Sequence, residues 1–476
     1  MLEAIKKYGN IAYTQNGAVS NAYTTNACLD FFSVAGALRT EDEKRIISLF
    51  TRAFISDPDY ALRALFYARD VRGGCGERRV FRIILKWLAS EYPETVRKNI
   101  ANIPEYGRYD DIFELIGTPC ESDAISFIDE TLKSDTEKII RGERASLLAK
   151  WMPSVNASNK ERKVLARYII RKLGITEKDY RKSLSALRKH IDILERRLCE
   201  RDYTFLYSLQ PAKAMLKYRK AFLKNDGIRY TSYLRSVRNI NTSALYPYEI
   251  IEEVIKSGMS NAEIDVLEAM WYNLQDYCNN RNAIAVVDGS ASMIGRPLNI
   301  AVSLGMYFAE RNTGFFRNHF ITFSKSPQLV EICDSNIRER ALQCMSYCEG
   351  DNTDLIRVFG LILKAAIKNK LSQEELPETI YVISDMEFDN GVSNSISLFK
   401  EARQLFEKHG YKLPQIVYWN VDSKSQQTPV TSNEYGAVLV SGTNPAVFSM
   451  VMSQNVSPLE FMKSVLNSER YRNIYA

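Results

Sequence analysis

The side chains best suited to chemistry lie in a short loop that follows the apolar residues 283–287. The loop reads D-G-S-A-S, so Asp288, Ser290 and Ser292 present three side-chain oxygens around one point. Mg²⁺ prefers an octahedral shell of oxygen ligands and keeps several of its waters, which suits one carboxylate and two hydroxyl groups. The spacing therefore predicts a magnesium site, with Mn²⁺ and Ca²⁺ as alternative ions.

Two later loops add oxygen ligands to this site. The sequence G-D-N-T-D at 350–354 supplies Thr353 before a predicted helix, and the apolar residues 379–383 run into Ser384 and Asp385. Ligands of open α/β sheets bind beyond the carboxyl ends of the strands, where such loops meet. We therefore expect a metal site formed by Asp288, Ser290, Ser292, Thr353 and Asp385.

This arrangement resembles the metal-ion-dependent adhesion site of the von Willebrand factor A family. In that family D-x-S-x-S is followed by a distant threonine and a distant aspartate in the same order, and every position is present here. The resemblance implies that Ser290, Ser292 and Thr353 contact the metal directly. It also implies that Asp288 and Asp385 hold the metal's waters.

Other catalytic patterns are not supported by the sequence. The glycine-rich residues 72–79 follow a helical stretch and lack the G-K-[ST] ending of a phosphate-binding loop, so a turn is the simpler interpretation. Phosphatases of the haloacid-dehalogenase type need a second aspartate at position 290, which is serine. The histidines, His190, His319 and His409, form no legible set with a serine or cysteine. We therefore expect a protein that is not an enzyme.

Cysteine usage and hydropathy bound the cellular setting. The eight cysteines are scattered and form no C-x-x-C pair, and three histidines make a zinc site a poor expectation. No apolar run reaches the length of a membrane span, and the N-terminus lacks the core of a signal peptide. These features predict a cytoplasmic protein with reduced thiols and no membrane contact.

The strands that must position the metal site alternate with helices in the C-terminal part of the chain. A chain of 476 residues is too long for one ordinary core, so more than one domain is expected. The alternation predicts a doubly wound, mostly parallel, Rossmann-like domain of the von Willebrand factor A type over 281–476. Strands are predicted at 283–287, 318–323, 328–332, 379–383, 415–420 and 436–441, with 328–332 at an edge.

The chain before this domain is predicted to be helical. Residues 1–39 are expected to be irregular, apart from a short apolar helix at 28–38. From 40 to 280, short helices follow one another without a strand signal, which is typical of a HEAT-like α-solenoid, although no literal repeat is visible. Two of these helices are predicted at 122–132 and 136–152.

Positive charge is concentrated in the second half of the helical region. The chain has a net charge of +6, and residues 151–250 hold 22 Lys and Arg against 9 Asp and Glu. Cations bind phosphates, and interleaved aromatic rings can stack on unpaired bases. The alternative is a solvated helix face whose aromatic residues pack inward. The candidate nucleic-acid contacts are Arg171, Lys172, Arg181, Lys182, Arg188, Lys189, Lys213, Lys217, Arg219 and Lys220, interleaved with Tyr168, Tyr180, Tyr203, Tyr207, Tyr218, Phe222, Tyr230 and Tyr233.

A helical region followed by an A-type domain with a complete metal motif resembles the Ro autoantigen (TROVE) family in architecture. The likeness is closer to a sister group of uncharacterised plant, viral and bacterial proteins, through D-V-R-G-G at 70–74, I-P-E-Y-G-R-Y-D-D at 103–111 and the stretches 150–154 and 180–188. Ro proteins close their helical repeats into a ring that binds single-stranded and structured RNA. The resemblance therefore implies RNA binding by residues 40–250, although no Ro residue can be carried over individually.

Two functions remain open at this point. The first is an RNA-binding, Ro-like ribonucleoprotein component whose A domain binds a ligand through Mg²⁺. The second is a metal-dependent protein-interaction scaffold without RNA binding, in which the metal captures an Asp or Glu side chain of a protein partner. Whether the cations of 158–238 share one surface distinguishes these functions.

Overall fold

The computed structural model of the chain describes residues 9–236, 245–278, 282–323, 326–348, 354–391, 396–451 and 456–476. These residues form a helical region, a mixed sheet of six strands flanked by helices, and an N-terminal β-hairpin. None of the described helices is long and apolar enough to cross a membrane.

The helical region consists of helices whose apolar faces pack together. They are α1 (Ala27–Phe32), α2 (Glu43–Ser56), α3 (Pro58–Arg69), α4 (Arg78–Glu91), α5 (Pro93–Asn99), α6 (Ile103–Tyr106), α7 (Glu121–Ile140), α8 (Leu148–Trp151), α9 (Lys160–Leu173), α10 (Glu177–His190), α11 (Leu194–Cys199), α12 (Ala212–Ser236), α13 (Pro247–Val254) and α14 (Asn261–Tyr272). Local signals set several of their ends. Asp57, for example, caps α3 by accepting a hydrogen bond from the backbone N–H of Tyr60 at 3.1 Å, and Pro58 is the first helical residue.

One pair of predicted helices is wrong in its boundaries. The predicted helices 122–132 and 136–152 are one continuous helix, α7, which ends at Ile140. The residues between the two predicted helices include no glycine or proline, so nothing interrupts the helical backbone there. The break comes instead at Gly142, whose φ of +73° suits glycine, and only the short α8 follows.

Residues 9–39 are more regular than the sequence predicted. β1 (Ile11–Tyr13) and β2 (Val19–Asn21) pair as an antiparallel hairpin. Its turn contains Asn16 and Gly17, and Gly17 has a φ of +90°. Strands of three residues are too short to show an alternating pattern, which is why the sequence indicated an irregular segment. The predicted short helix at 28–38 is present only in its first half, as α1, which ends at Phe32.

The sheet has the strand order β5-β4-β3-β6-β7-β8. Its strands are β3 (Ala283–Asp288), β4 (His319–Phe323), β5 (Leu329–Glu331), β6 (Thr379–Ser384), β7 (Gln415–Asn420) and β8 (Ala437–Ser441). Neighbouring strands are parallel except β4 and β5, so the edge strand is antiparallel. The predicted mostly parallel sheet is confirmed, and the strand order reverses between β3 and β6, whose carboxyl ends flank the switch point.

Helices cover both faces of this sheet. They are α15 (Arg296–Arg311), α16 (Ile337–Ser346), α17 (Leu355–Asn369), α18 (Leu398–Lys408), α19 (Val447–Met450) and α20 (Pro458–Leu466). In β3, Ala285 and Val287 belong to the core that includes α15, whereas Ile284 and Val286 belong to the core that includes α17 and α18. Strands buried on both faces have nearly continuous apolar sequences, which made them recognisable.

The helical region and the sheet share a hydrophobic core on the α15 face. The C-terminal residues extend this contact, because α20 packs on α1 and α3. Beyond α20, Arg470 forms an ion pair with the buried carboxylate of Asp70, and the hydroxyl of Tyr471 donates to the same carboxylate at 3.0 Å. The predicted helical region and the predicted α/β domain are therefore packed against each other through their side chains.

Candidate metal centre

The first predicted ligand, Asp288, ends β3 and is fully buried. Its Oδ1 accepts a hydrogen bond from the backbone N–H of Ser290 at 2.9 Å, and its Oδ2 accepts one from the hydroxyl of Ser384 at 2.5 Å. Ser384 ends the neighbouring strand β6. The carboxylate is thus fixed both by its own loop and by the strand on the other side of the switch point.

A second buried carboxylate, Asp385, follows β6 directly. Its Oδ1 accepts a hydrogen bond from the backbone N–H of Glu387 at 3.2 Å. Burial, and after it the negative charge of Asp385, raises the pKa of Asp288 to about 6. Buried carboxylates that repel each other are stabilised by a nearby cation, so this sheet edge favours positive charge.

The two serines of the motif lie at the start of the loop after β3, where residues Ala291–Met293 form a 3₁₀ turn. Their hydroxyl oxygens are 3.0 Å apart. Ser290 is buried, whereas Ser292 is exposed. Neutral hydroxyl oxygens at this separation can bind the same hard cation while one side of it stays open to solvent.

The fifth predicted ligand, Thr353, lies outside the described residues. The chain nevertheless approaches the site shortly before it, because a Cβ at Gly289 would lie 2.6 Å from the Cα of Cys348. Burial, followed by the charge of Asp288, raises the pKa of the Cys348 thiol to about 12. Cys348, which precedes Thr353 by five residues, therefore lies beside the D-x-S-x-S loop.

Lys424 also lies at this site, although no sequence motif singles it out. Its ammonium donates hydrogen bonds to Asp385 Oδ2 at 3.0 Å and to the carbonyl oxygen of Ser292. It therefore bridges the loops that follow β6 and β3. A further carboxylate oxygen, of Asp422, lies 3.6 Å from the same ammonium. Lys424 stands in a polar loop after β7, and only the tertiary structure brings it to the site.

The loop after β6 is held in place by the N-terminal hairpin. The backbone N–H of Gln15 donates to Glu387 Oε2 at 2.6 Å, and the hydroxyl of Thr14 donates to the carbonyl oxygen of Phe388 at 2.5 Å. Glu387 is itself buried. Since Asp385 lies only two residues before Glu387, the hairpin helps to fix the second carboxylate of the candidate site.

The donor set suits a hard divalent cation. Asp288, Ser290, Ser292 and Asp385 lie together at one edge of the sheet and offer carboxylate and hydroxyl oxygens, which are ligands for Mg²⁺, Mn²⁺ or Ca²⁺. Among the described residues, no group of three or more His, Cys, Asp or Glu side chains is placed to hold a metal.

Six of the ten candidate nucleic-acid contacts are engaged within the protein. Lys172 pairs with Glu121, Lys213 with Glu249, Arg219 with Glu253 and Lys220 with Glu263, whereas Arg188 donates to the carbonyl groups of Ala149 and Met152 and Arg181 donates to that of Glu177. The other four are exposed and form no ion pair with a described residue, namely Arg171, Lys182, Lys189 and Lys217.

The cations are distributed over two packed units of the helical region. α9 and α10 pack on α7 and α8, whereas α12 packs on α14. A groove of about 420 Å³ beside α12 is lined by Lys213, Lys217 and Lys220 together with Glu249 and Glu253. These glutamates neutralise part of the positive charge of the groove, which weakens its attraction for phosphates.

Half of the eight aromatic residues interleaved with the cations are unavailable for stacking on bases. Tyr180, Tyr207, Phe222 and Tyr230 are buried. Tyr207 stacks on Tyr233 with ring centroids 5.6 Å apart. For these rings the structure agrees with the inward-packing alternative, in which they form a core between the helices.

Two family models match the chain in separate parts. A family described as "Domain of unknown function (DUF7788)" matches residues 282–471, and one described as "Domain of unknown function (DUF2828)" matches residues 14–116 and 172–280. The first match begins next to β3 and contains every described residue of the candidate metal centre. Neither description mentions a von Willebrand factor A domain, so that likeness stays a resemblance.

Whole-chain comparisons give a similar protein and a similar solved structure. An uncharacterized protein of Acanthamoeba polyphaga mimivirus is 28% identical over 508 residues, covering 96% of this chain and 87% of that protein. The crystal structure of the RO (RSR) protein of Deinococcus radiodurans aligns with a TM-score of 0.39 and 12% identity, covering 92% of this chain and 94% of that chain.

Proposed function

We propose that the protein is a metal-dependent binding protein whose α/β domain holds Mg²⁺ at the carboxyl edge of the sheet and captures a carboxylate of a protein partner. The observation that carries this proposal is the meeting of buried Asp288 and Asp385 with the hydroxyl groups of Ser290 and Ser292 at the switch point. Mn²⁺ and Ca²⁺ are the alternative ions, because they accept the same oxygen ligands.

Each residue has a separate role in this proposal. The hydroxyl groups of Ser290 and Ser292, with that of Thr353, bind the cation directly. The carboxylates of Asp288 and Asp385 orient its waters and supply the negative charge. Bound Mg²⁺ would supply an open coordination position for an acidic ligand. Exposure of Ser292 leaves that position on the solvent side, where a partner can reach it.

We propose binding rather than catalysis for this site. Hydrolysis by a haloacid-dehalogenase-type mechanism needs an aspartate where this chain has Ser290. The carboxylate of Asp288 is buried and already accepts hydrogen bonds from Ser290 and Ser384, which leaves it poorly placed for attack on a substrate. Its geometry suits a residue that orients bound water.

Calorimetric titration with MgCl₂ and MnCl₂ tests the metal proposal. Asp288→Ala should weaken binding by about 10- to 100-fold, because the charge that orients the metal's shell is lost. Asp265→Ala is the matched control, since Asp265 is an exposed aspartate of α14. Equal heats and affinities for the wild type and Asp288→Ala would contradict the proposal.

A second candidate function, RNA binding of the Ro type by a HEAT-like helical region, is favoured by one observation. Arg171, Lys182, Lys189 and Lys217 are exposed and form no ion pair with a described residue. Such cations are available to phosphates. The A domain would then dock a ligand or a protein to the ribonucleoprotein through Mg²⁺.

Binding of labelled single-stranded RNA across a salt series tests this second function. The logarithm of the affinity should fall steeply with the logarithm of the salt concentration, and Lys182→Glu with Lys189→Glu should lower both affinity and slope. Lys412→Glu, a reversal at an exposed lysine of the α/β domain, is the control. Absence of binding at low salt would leave the metal-dependent scaffold as the function.

A further inference from the structure

The ammonium group of Lys424 lies where the loops of the candidate metal centre meet. It donates to Asp385 Oδ2 at 3.0 Å and to the carbonyl oxygen of Ser292. Both acceptors belong to residues of the predicted donor set. The lysine thus contributes a positive charge at the place where the proposed function requires a divalent cation.

This contact differs from an ordinary surface ion pair. The side chain of Asp385 is 0% exposed and that of Lys424 is 28% exposed. Solvent-exposed ion pairs are weakened by water and salt, whereas a pair with a buried carboxylate is screened much less. Lys424 therefore neutralises a carboxylate that would otherwise be buried with an unbalanced charge.

The loop that carries Lys424 is fixed by the helical region. Arg45 of α2 donates to the hydroxyl of Ser423 at 3.2 Å and to its carbonyl oxygen at 3.3 Å, and it also contacts the carbonyl oxygen of Ser425. The backbone N–H of Ser423 donates to the carbonyl oxygen of Ala37 at 3.0 Å. The backbone on either side of the lysine is thus anchored, and the side chain reaches into the site from a defined position.

An ammonium and a divalent cation that share the same oxygen repel each other at close range. In the proposed site, Ser292 would bind the metal and Asp385 would hold its waters. Asp385 Oδ2 and the carbonyl oxygen of Ser292 already accept hydrogen bonds from Lys424. The lysine side chain would therefore have to move away for these two residues to hold the metal.

We propose that Lys424 is an internal cation that closes the metal centre in the resting protein and is displaced when a divalent ion binds. This inference rests on the proposed metal-dependent function, and it adds a device that controls access to the site. The apparent metal affinity is then reduced by the fraction of molecules in which the lysine is in place. Removing the ammonium while keeping an apolar side chain of similar length should unmask the site.

Binding of Mn²⁺ alone to the full chain, followed by electron paramagnetic resonance, tests this proposal. Lys424→Met should bind Mn²⁺ about tenfold more tightly than the wild type, if the site is open in about a tenth of wild-type molecules. Lys412→Met is the matched control, because Lys412 is exposed and precedes β7 at the opposite end of that strand. Its affinity should equal that of the wild type.

The outcomes distinguish failure of the proposed Lys424 displacement from failure of the metal site itself. If the wild type binds Mn²⁺ and Lys424→Met binds it equally or more weakly, the proposed displacement of Lys424 is overturned and the proposed function is left in place. No binding by the wild type or by either variant would overturn both. Lys424→Met should bind Mn²⁺ more tightly, and adding Asp288→Ala to it should abolish this gain; that result would support displacement of Lys424 at this site.

A measurement on the unaltered chain avoids any effect of substitution on folding. Reductive methylation of lysines, read by mass spectrometry, reports how accessible each amine is. Saturating Mn²⁺ should speed the modification of Lys424 and leave that of Lys412 unchanged. Unchanged or slower modification of Lys424 under conditions where Mn²⁺ is bound would overturn the proposal.

Discussion

The sheet edge and the basic helices both gather charged side chains, but the neighbours of those side chains differ. At the sheet edge, Asp288 and Asp385 are both buried, and among the described residues the ammonium of Lys424 forms an ion pair with Asp385. On the helices, Arg188 and Arg219 are held by carbonyl groups or a carboxylate of the chain itself. A high density of charge in the sequence therefore does not show which charges are available for a partner. The burial and the internal partners of each group decide it.

The largest effect is expected where a charge of the helical region is buried. Asp111 is 0% exposed and receives Arg69 at 2.8 Å and Arg82 at 2.6 Å. Asp111→Ala leaves the buried guanidinium of Arg69 without a counter-ion, so the free energy of unfolding should fall by about 3 to 5 kcal/mol in a urea titration. Glu114→Ala, which removes a more exposed partner of Arg82, should cost less than about 1 kcal/mol. Equal losses of stability in the two variants would contradict the proposed difference between buried and exposed charges.

An effect of opposite sign is expected at the sheet edge. The pKa of Asp288 is raised from 3.8 to about 6 in the folded chain. Its contribution to stability is therefore fully present below pH 3.8 and is lost as the pH rises through 6. Asp288→Asn should thus raise the free energy of unfolding of the metal-free protein at pH 7.5, by up to about 3 kcal/mol.

Urea titrations at pH 5 and pH 7.5 in the presence of a chelator measure this difference. The gain from Asp288→Asn should be smaller at pH 5, where the wild-type carboxyl is mostly protonated. Saturating Mg²⁺ should stabilise the wild type and leave the variant unchanged. A variant that is less stable than the wild type at pH 7.5 without metal would contradict the electrostatic account of the site.

A smaller effect separates two neighbouring cations of α12. Arg219 is buried and donates to the carbonyl oxygen of Leu216 at 2.9 Å and to Glu253 at 2.6 Å, whereas Lys217 is exposed. Arg219→Met should lower the free energy of unfolding by about 1 to 3 kcal/mol. Lys217→Met should change it by less than about 0.5 kcal/mol, since its side chain is in solvent. Thermal denaturation of the two variants measures this difference. Equal shifts in Tm would show that burial does not determine how much each basic residue contributes to stability.

Much of the sheet and of the site could be predicted because their signals are local. Buried parallel strands give unbroken apolar runs, and a motif that follows such a run must lie at the carboxyl edge. This reasoning placed Asp288, Ser290, Ser292 and Asp385 together, as the structure has them. The assignment of Thr353 stays a prediction.

The residues that sequence reasoning missed depend on contacts between distant parts of the chain. Lys424 reaches the site because Arg45, in another region, anchors its loop. The N-terminal hairpin is stabilised by contacts with distant residues, such as that of Thr14 with Phe388. Such a contact cannot be predicted from the sequence of a three-residue strand. The sequence partly indicates the inward packing of the aromatic residues, since Tyr218 and Phe222 lie four residues apart on one helix face. A count of charges alone does not indicate this packing.

The metal centre is tested most directly by the position of Mn²⁺ in crystals of the full chain, located by its anomalous scattering. We expect one strong peak beside the hydroxyl groups of Ser290 and Ser292, with Asp288 and Asp385 around it and the side chain of Lys424 moved away. A crystal saturated with Mn²⁺ that has no peak at this edge of the sheet, and with Lys424 still on Asp385, would contradict this expectation.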